Sequence, residues 1–310
     1  MRQLDYELNR RRIKNKTTGG AKFLENSLSK SEYEVLIGIL SSKGHEISCR
    51  EESVYNELAG KGMIKNNEIT KDGLAALEPY RVRKAVILAA GFGSRMAPIT
   101  INTPKPLVRV HGQRIIDGLL DACVKAEIEE IYIVRGYLGE QFDQLLYKYP
   151  AIKFIDNRLY NTENNISSAM LARNLLSDAY VMEADLYISN PDIISKYQYR
   201  SNFLAIKTEK TDDWCFEAED GFITKEKVGG ENCWQMVGIS YWSAEDGKKL
   251  AQDISSVYSE PNGKQRYWEQ VPLEFRREHY HVAIRECGET DIIEIDTFDE
   301  LKAIDPSYDV

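Results

Sequence analysis

The stretch KAVILAAGFGSRMAPITINTPKP, residues 84–106, gathers residue types that handle phosphate. Gly91 and Gly93 let the backbone turn tightly and present its N–H groups to an anion with no side chain in the way. Arg95 supplies a planar cation matched to phosphate oxygens. Lys105 stands between two prolines, which hold the backbone and aim its ammonium. Two other phosphate patterns are excluded. GxGxxG would need glycine at position 96, where Met96 stands, and no Gly-Lys-Ser/Thr follows to complete a Walker loop. Asp185 closes AYVMEAD at a strand terminus, where its carboxylate can hold a hard cation such as magnesium. Glu183, two residues earlier, points to the same face and is read as a partner behind Asp185. Asp296 closes IIEID at a second strand terminus. The chemistry expected of this set is binding of phosphate groups together with a hard cation.

A second group lies in the C-terminal half: Trp214, Tyr241, Trp242, Tyr267 and Trp268. Aromatic faces hold a quaternary ammonium by cation–π attraction, because such a group has no N–H to donate. Plain core packing is the ordinary alternative for Trp and Tyr. Carboxylates crowd the same places, Asp212, Asp213 and Glu217 around Trp214 and Glu269 beside Trp268, and with aromatics they also suit a primary ammonium. His279 and His281 share a face without a third ligand, so surface histidines are expected.

These residues need a scaffold. AVILAA, EIYIVRG, IKFIDN, AYVMEADL, NFLAIK and MVGISYW read as strands rich in β-branched and aliphatic residues. Helical spacing covers 115–126, 139–149 and 164–176 between the early ones, and a solvated helix is expected over 264–280. Strand alternating with helix implies a parallel sheet covered on both faces, with its site at the carboxyl ends of the strands. That places chemistry after Ala90, Arg135, Asp156 and Ala184.

Residues 1–80 have a different texture. A basic cluster, Arg10, Arg11, Arg12, Lys14 and Lys16, precedes Gly19-Gly20 and reads as a helix or a loose arm. Ser31 begins a helix over 31–40, a second spans about 50–59, GMIKNNEIT reads as a hairpin, and KDGLAALEPY closes with a short helix. This order resembles a winged-helix module, yet a helix-turn-helix needs two helices before the wing, and GHEISCREESVYNELAGKG has room for little more than one. The segment carries 13 Lys/Arg against 12 Asp/Glu, too even a balance to neutralise phosphates, so nucleic acid is not an expected partner. Docking or homodimerisation is expected of it instead. Domains are therefore drawn at 1–80 and 81–310.

The net charge of -9 also argues against coating of nucleic acid. Five scattered cysteines without a CxxC pair suit a reduced, cytoplasmic protein, and no apolar run suggests a signal peptide or membrane span.

GxGxR followed by a PKP lysine resembles the signature of the sugar-phosphate nucleotidyltransferase superfamily, thinly extended over residues 83–304. The resemblance implies a Rossmann-like α/β fold, a mixed sheet flanked by helices of the nucleotide-diphospho-sugar transferase type. GYLGEQF at 136–142, NN-S at 164–167 and EADLYI at 183–188 resemble the bacterial CTP:phosphocholine cytidylyltransferases more closely. The nucleotide site so implied comprises Leu88, Ala90, Gly91, Gly93, Ser94, Arg95, Lys105, Gly136, Tyr137, Asn164, Asn165 and Ser167. Asp185 and Asp296 would hold Mg²⁺, and Arg95, Lys105 and Lys207 would act on the phosphates, Lys207 facing that of the acceptor. Trp214 and Trp268 would line the acceptor pocket, with Tyr241 and Glu269. The partners expected are CTP and a small phosphorylated acceptor: phosphocholine first, with phosphoethanolamine and 2-aminoethylphosphonate open. A sugar-1-phosphate nucleotidyltransferase and a winged-helix regulator with a nucleotide-sensing domain are the alternatives.

Overall fold

The computed structural model describes residues 27–41, 48, 49 and 51–309, in two compact units, Met1–Arg81 and Val82–Val310. The basic cluster at 10–16 and the glycine pair at 19–20 lie outside the described residues.

In the first unit, helix α1 (Lys30–Ser41) buries Val35, Leu36 and Ile39 on one stripe. Its cap is Ser29 rather than Ser31. The Ser29 Oγ accepts from the Glu32 N–H at 3.2 Å while Glu32 reaches back to the Ser29 N–H at 2.7 Å, the reciprocal pairing of a capping box. Helix α2 (Glu52–Gly60) follows, then strands β1 (Ile64–Lys65) and β2 (Glu68–Ile69). Asn66 and Asn67 turn the hairpin at φ 54° and 58°, the left-handed region that asparagine tolerates. Helix α3 (Lys71–Leu77) is capped by Thr70 and ends in a 3₁₀ turn at Glu78–Tyr80. Among the described residues a single helix separates α1 from the hairpin.

The second unit is built on β3 (Lys84–Ala89), β6 (Glu130–Arg135), β7 (Lys153–Asp156), β8 (Ala179–Glu183), β10 (Asn202–Glu219), β11 (Phe222–Trp242) and β12 (Ala283–Cys287). They form one sheet in the order β10-β12-β11-β8-β3-β6-β7. The four strands β8-β3-β6-β7 are parallel, and β11 joins β8 antiparallel, so the sheet is mixed. Side chains alternate across it. Ala85, Ile87 and Ala89 enter one apolar layer with α4 (Ile115–Lys125), while Val86 joins the other with α5 (Ile166–Ala172) and α6 (Ala244–Tyr258). Short pairs β4 (Arg109–Val110) with β5 (Gln113–Arg114), and β9 (Leu186–Ile188) with β13 (Ile292–Glu294), flank the sheet before α7 (Phe298–Ile304).

Three expectations are corrected. The helical stretch at 139–149 is a 3₁₀ run, Gly139–Tyr147. The 264–280 segment is not a solvated helix: it is broken into short turns around Val271–Phe275, and Trp268, Glu269, Val271 and Leu273 are buried. NFLAIK and MVGISYW are the roots of an 18-residue and a 21-residue strand, which pair with each other as a long bulged hairpin. Their outer halves are polar, which is why apolar runs marked the roots alone. No helix among the described residues is long and apolar enough to cross a membrane.

Candidate active site

At the carboxyl end of β3 the chain leaves the sheet through Ala90 into the glycine loop. Gly93 adopts φ +67°, and a Cβ there would stand 2.9 Å from the Lys105 Cβ, so the loop and the TPKP segment are in direct apposition. Thr100 ties the turn down, its hydroxyl donating to the Gly93 carbonyl at 2.8 Å. Met96, the residue that excludes a dinucleotide fingerprint, is fully buried with Val108, Ile115, Ile295 and Leu301 and anchors the loop. Gly91 differs from Gly93: an added Cβ would meet no atom within 4 Å.

The loop forms one wall of a cavity of about 360 Å³. Leu88, Ala90, Gly91, Gly93, Ser94, Arg95, Lys105, Asn164, Asn165, Ser167, Asp185 and Asp296 all line it, contributed by segments more than 200 residues apart in sequence. At its heart is an array of ion pairs. The buried Lys105 Nζ donates to Asp185 Oδ2 at 2.7 Å and to Asp296 Oδ1 at 2.8 Å, and Arg95 donates to the same Asp296 oxygen at 2.7 Å. Burial opposes the charge on Lys105, but the Asp185 and Asp296 carboxylates outweigh it and hold the ammonium above the usual lysine range.

The acids form a wider group than the expected pair of Asp185 and Asp296, which share the Lys105 ammonium. Glu183, Asp185 and Glu294 bring one carboxylate oxygen each within 4.8 Å of one another, and Asp296 stands outside that group, against Arg95 and Lys105. Burial first, then the charges of Glu269, Asp185 and Glu294, push the Glu183 carboxyl well above the ordinary range. Burial and then Asp185 and Asp296 do the same to Glu294. Asp185 Oδ1 is buried without a hydrogen-bond partner. An orphaned carboxylate oxygen amid mutually repelling carboxylates is a donor set fitted to a hard divalent cation. Glu294 was missed in sequence because β13 is three residues long and its pairing with β9 is a long-range contact.

On the facing wall, Asn157 follows β7 and is 2% exposed. Its Nδ2 donates to the hydroxyls of Ser167 and Ser168, each at 2.9 Å, and so fixes the start of α5. Asn164 and Asn165 enter the cavity from the preceding turn, bonded to the 265–268 backbone: Asn164 Nδ2 donates to the Gln265 carbonyl and Asn165 Oδ1 accepts from the Trp268 N–H. Tyr267, one of the five aromatics of the C-terminal half, also lines the cavity, as do Tyr160 and Glu163, which were not foreseen.

Several expected site residues are placed elsewhere. Gly136 and Tyr137 buttress the loop from behind: a Cβ on Gly136 would sit 2.8 Å from the Ala90 carbonyl, and the Tyr137 ring packs on Phe92 at 4.3 Å. Tyr241 is 2% exposed and meets Tyr180 edge-on within the core. Trp268 is likewise core, stacked on Phe203 at 6.1 Å. Both positions are inward-facing, and area burial outweighs any open aromatic wall there. Lys207 is exposed on β10, its ammonium 5.8 Å over the Trp234 ring and away from the cavity lining. Trp214, half-buried, reaches the site through Tyr267, edge-on at 5.8 Å. Glu269 lies behind Asn165, whose Nδ2 donates to it at 3.4 Å.

This geometry agrees with what the chain is similar to. Residues 84–217 match the family described as Nucleotidyl transferase. The 2-aminoethylphosphonate cytidylyltransferase of Lancefieldella rimae is 39% identical over 228 residues, 72% of this chain and 92% of that protein. The choline-phosphate cytidylyltransferase of Haemophilus influenzae is 32% identical over 219 residues, 70% of this chain and 93% of the relative. Among solved structures, the CTP:phosphocholine cytidylyltransferase of Streptococcus pneumoniae superposes with a TM-score of 0.68 at 29% identity, covering 73% of this chain and 99% of that one. A glycine loop, a buried lysine and strand-end carboxylates in one cavity, with relatives matched over nearly their whole length, make this chain an enzyme of the nucleotidyl transferase family.

Proposed function

We propose that the chain is a cytidylyltransferase that moves CMP from CTP to a phosphorylated amino-alcohol or an aminoalkylphosphonate. The observation that carries this reading is the ion-pair array of Arg95, Asp296, Lys105 and Asp185 beneath the glycine loop. It holds two cations where a triphosphate would lie against backbone N–H groups. The kind of acceptor is supported by the names of the relatives and by the aromatic and acidic surroundings of Tyr267.

In the reaction, an acceptor phosphate or phosphonate oxygen attacks the α-phosphorus in line. A new P–O bond forms, the bond from the α-phosphorus to the bridging oxygen breaks, and pyrophosphate leaves with that electron pair. The acceptor oxygen is already ionised at neutral pH, so no base is required. Arg95 and Lys105 neutralise charge that builds on the triphosphate, and the loop N–H groups orient it, so catalysis is positioning plus electrostatics. Glu183, Asp185 and Glu294, with Asp296 beside them, are the residues that would hold Mg²⁺, and the ion, when bound, supplies further neutralisation of the triphosphate.

The test is pyrophosphate release with CTP and Mg²⁺, offering phosphocholine, phosphoethanolamine, 2-aminoethylphosphonate and glucose-1-phosphate separately. Turnover with an amino-bearing acceptor is expected. Turnover with the sugar phosphate alone would make the enzyme a sugar-1-phosphate nucleotidyltransferase, and silence with all four would revive a nucleotide-sensing role.

A further inference from the structure

We infer that Glu226, assisted by Glu269, reads the nitrogen end of the acceptor and selects a primary ammonium over a trimethylated one. The inference rests on the acceptor class proposed above and names the group within it that is recognised.

The placement follows from strand register. In the β10–β11 hairpin Glu226 lies directly opposite Phe216, Trp214 lies opposite Val228, and Phe216 also faces Trp234 on its other side. Directly opposed residues, and residues two apart on one strand, share a face. Glu226 therefore sits on the same face as Trp214, Phe216 and Trp234. That face is apolar: Phe216 is fully buried and meets Phe203 at 5.5 Å, with Trp268 stacked behind Phe203. Trp214 meets Tyr267, which lines the cavity, so the aromatic face borders the site.

A carboxylate on such a face needs partners, and Glu226 has none: both its oxygens are buried without a hydrogen bond. Glu269, 5% exposed, accepts at 3.4 Å from Asn165, itself a cavity residue. The charges of Glu269 and Glu274 bear on Glu226, and that of Glu269 on Glu183, so acidic groups continue from the carboxylates beside Lys105 to the aromatic face. Burial first, then Glu269 and Glu274, raises the Glu226 carboxyl to about 8, so the empty protein holds it protonated at neutral pH and a bound cation is what would favour its ionised form.

Aromatic rings alone would receive any ammonium. Orphaned carboxylate oxygens ask for more, because what relieves them is a cation that brings N–H donors. A primary ammonium offers three and a trimethylammonium none. The bulk of three methyl groups would also keep the positive centre farther from Glu226.

The test uses the full-length chain with CTP and Mg²⁺ and an acceptor series of phosphoethanolamine, its N-methyl and N,N-dimethyl forms, and phosphocholine. In the wild type kcat/KM should fall along the series, by roughly ten- to a hundredfold from first to last, the range expected for hydrogen bonds to a charged group. Glu226→Gln should lose most of its activity toward phosphoethanolamine through KM, lose much less toward phosphocholine, and leave the KM for CTP unchanged. A flat or rising wild-type series overturns the inference while leaving the cytidylyltransferase reading intact, and so does an equal loss toward both acceptors in Glu226→Gln. Silence along the whole series with turnover of glucose-1-phosphate overturns both. The wild-type series needs no variant, so misfolding of Glu226→Gln does not shelter the idea.

Discussion

Lys105 is a buried cation between two carboxylates, and its replacement has two separable consequences. Removing its ammonium leaves Asp185 and Asp296 facing each other without it, a loss of about 3–5 kcal/mol for a broken buried pair. Under the proposed function it also removes a charge from the triphosphate site, which costs about 10²–10³ in turnover. Lys105→Ala is thus expected to lower both the thermal midpoint, read by calorimetry, and kcat, read by pyrophosphate release. The two loop glycines make a sharper comparison. Gly93→Ala forces a side chain into the left-handed region at about 1–2 kcal/mol and against Lys105, so its midpoint falls. Gly91→Ala meets nothing in the empty protein, so its midpoint holds while its KM for CTP rises. Equal midpoints for the two variants would refute the close apposition of loop and lysine.

At the scale of elements, the long β10–β11 hairpin carries a titratable group into an apolar layer. Glu226 titrates at about 8 in the folded chain against about 4.5 when exposed. The folded state therefore holds a proton that the unfolded chain gives up across that interval, and stability falls as pH rises from about 4.5 to about 8. Urea unfolding at a series of pH values should show this decline, and Glu226→Gln should lessen it, with Glu183, Glu269 and Glu294, raised by the same burial, contributing the rest. A slope unchanged by the substitution would mean that the carboxylate is solvated. Tyr241 on this hairpin and Trp268 beyond it are buried where an acceptor wall was expected, because aromatic residues in a strand or a broken turn carry no mark of whether they face a cavity or the core. Only the pairing of β11 with β8, which sets Tyr241 opposite Tyr180, decides it.

For the whole molecule, the division at Arg81–Val82 separates a small unit from one that holds every residue of the cavity. Truncation of residues 1–81 is expected to leave a folded protein with kcat for CMP transfer within about threefold of the full chain, since the cavity loses none of its lining and remote changes act mainly additively. Loss of activity with retained circular dichroism would assign the N-terminal unit a part in the site.

Local chemistry carried much of this protein in its sequence. The glycine loop, Arg95 and the proline-held Lys105 lie in one stretch of chain, Asp185 carried the local mark of a strand end, and the alternation of apolar strand and helix already implied a sheet with its site at one edge. The hairpin of β1 and β2 was equally legible, because Asn-Asn between short strands is a local signal. Tertiary structure decided what depends on distance. It joined Glu294 to Glu183 and Asp185, brought Asp296 to the same lysine as Asp185, turned Trp268 and Tyr241 into the core, and faced Glu226 onto the aromatic layer. Those outcomes follow from register and from burial between segments up to 200 residues apart, and neither is encoded in the spacing of any one motif.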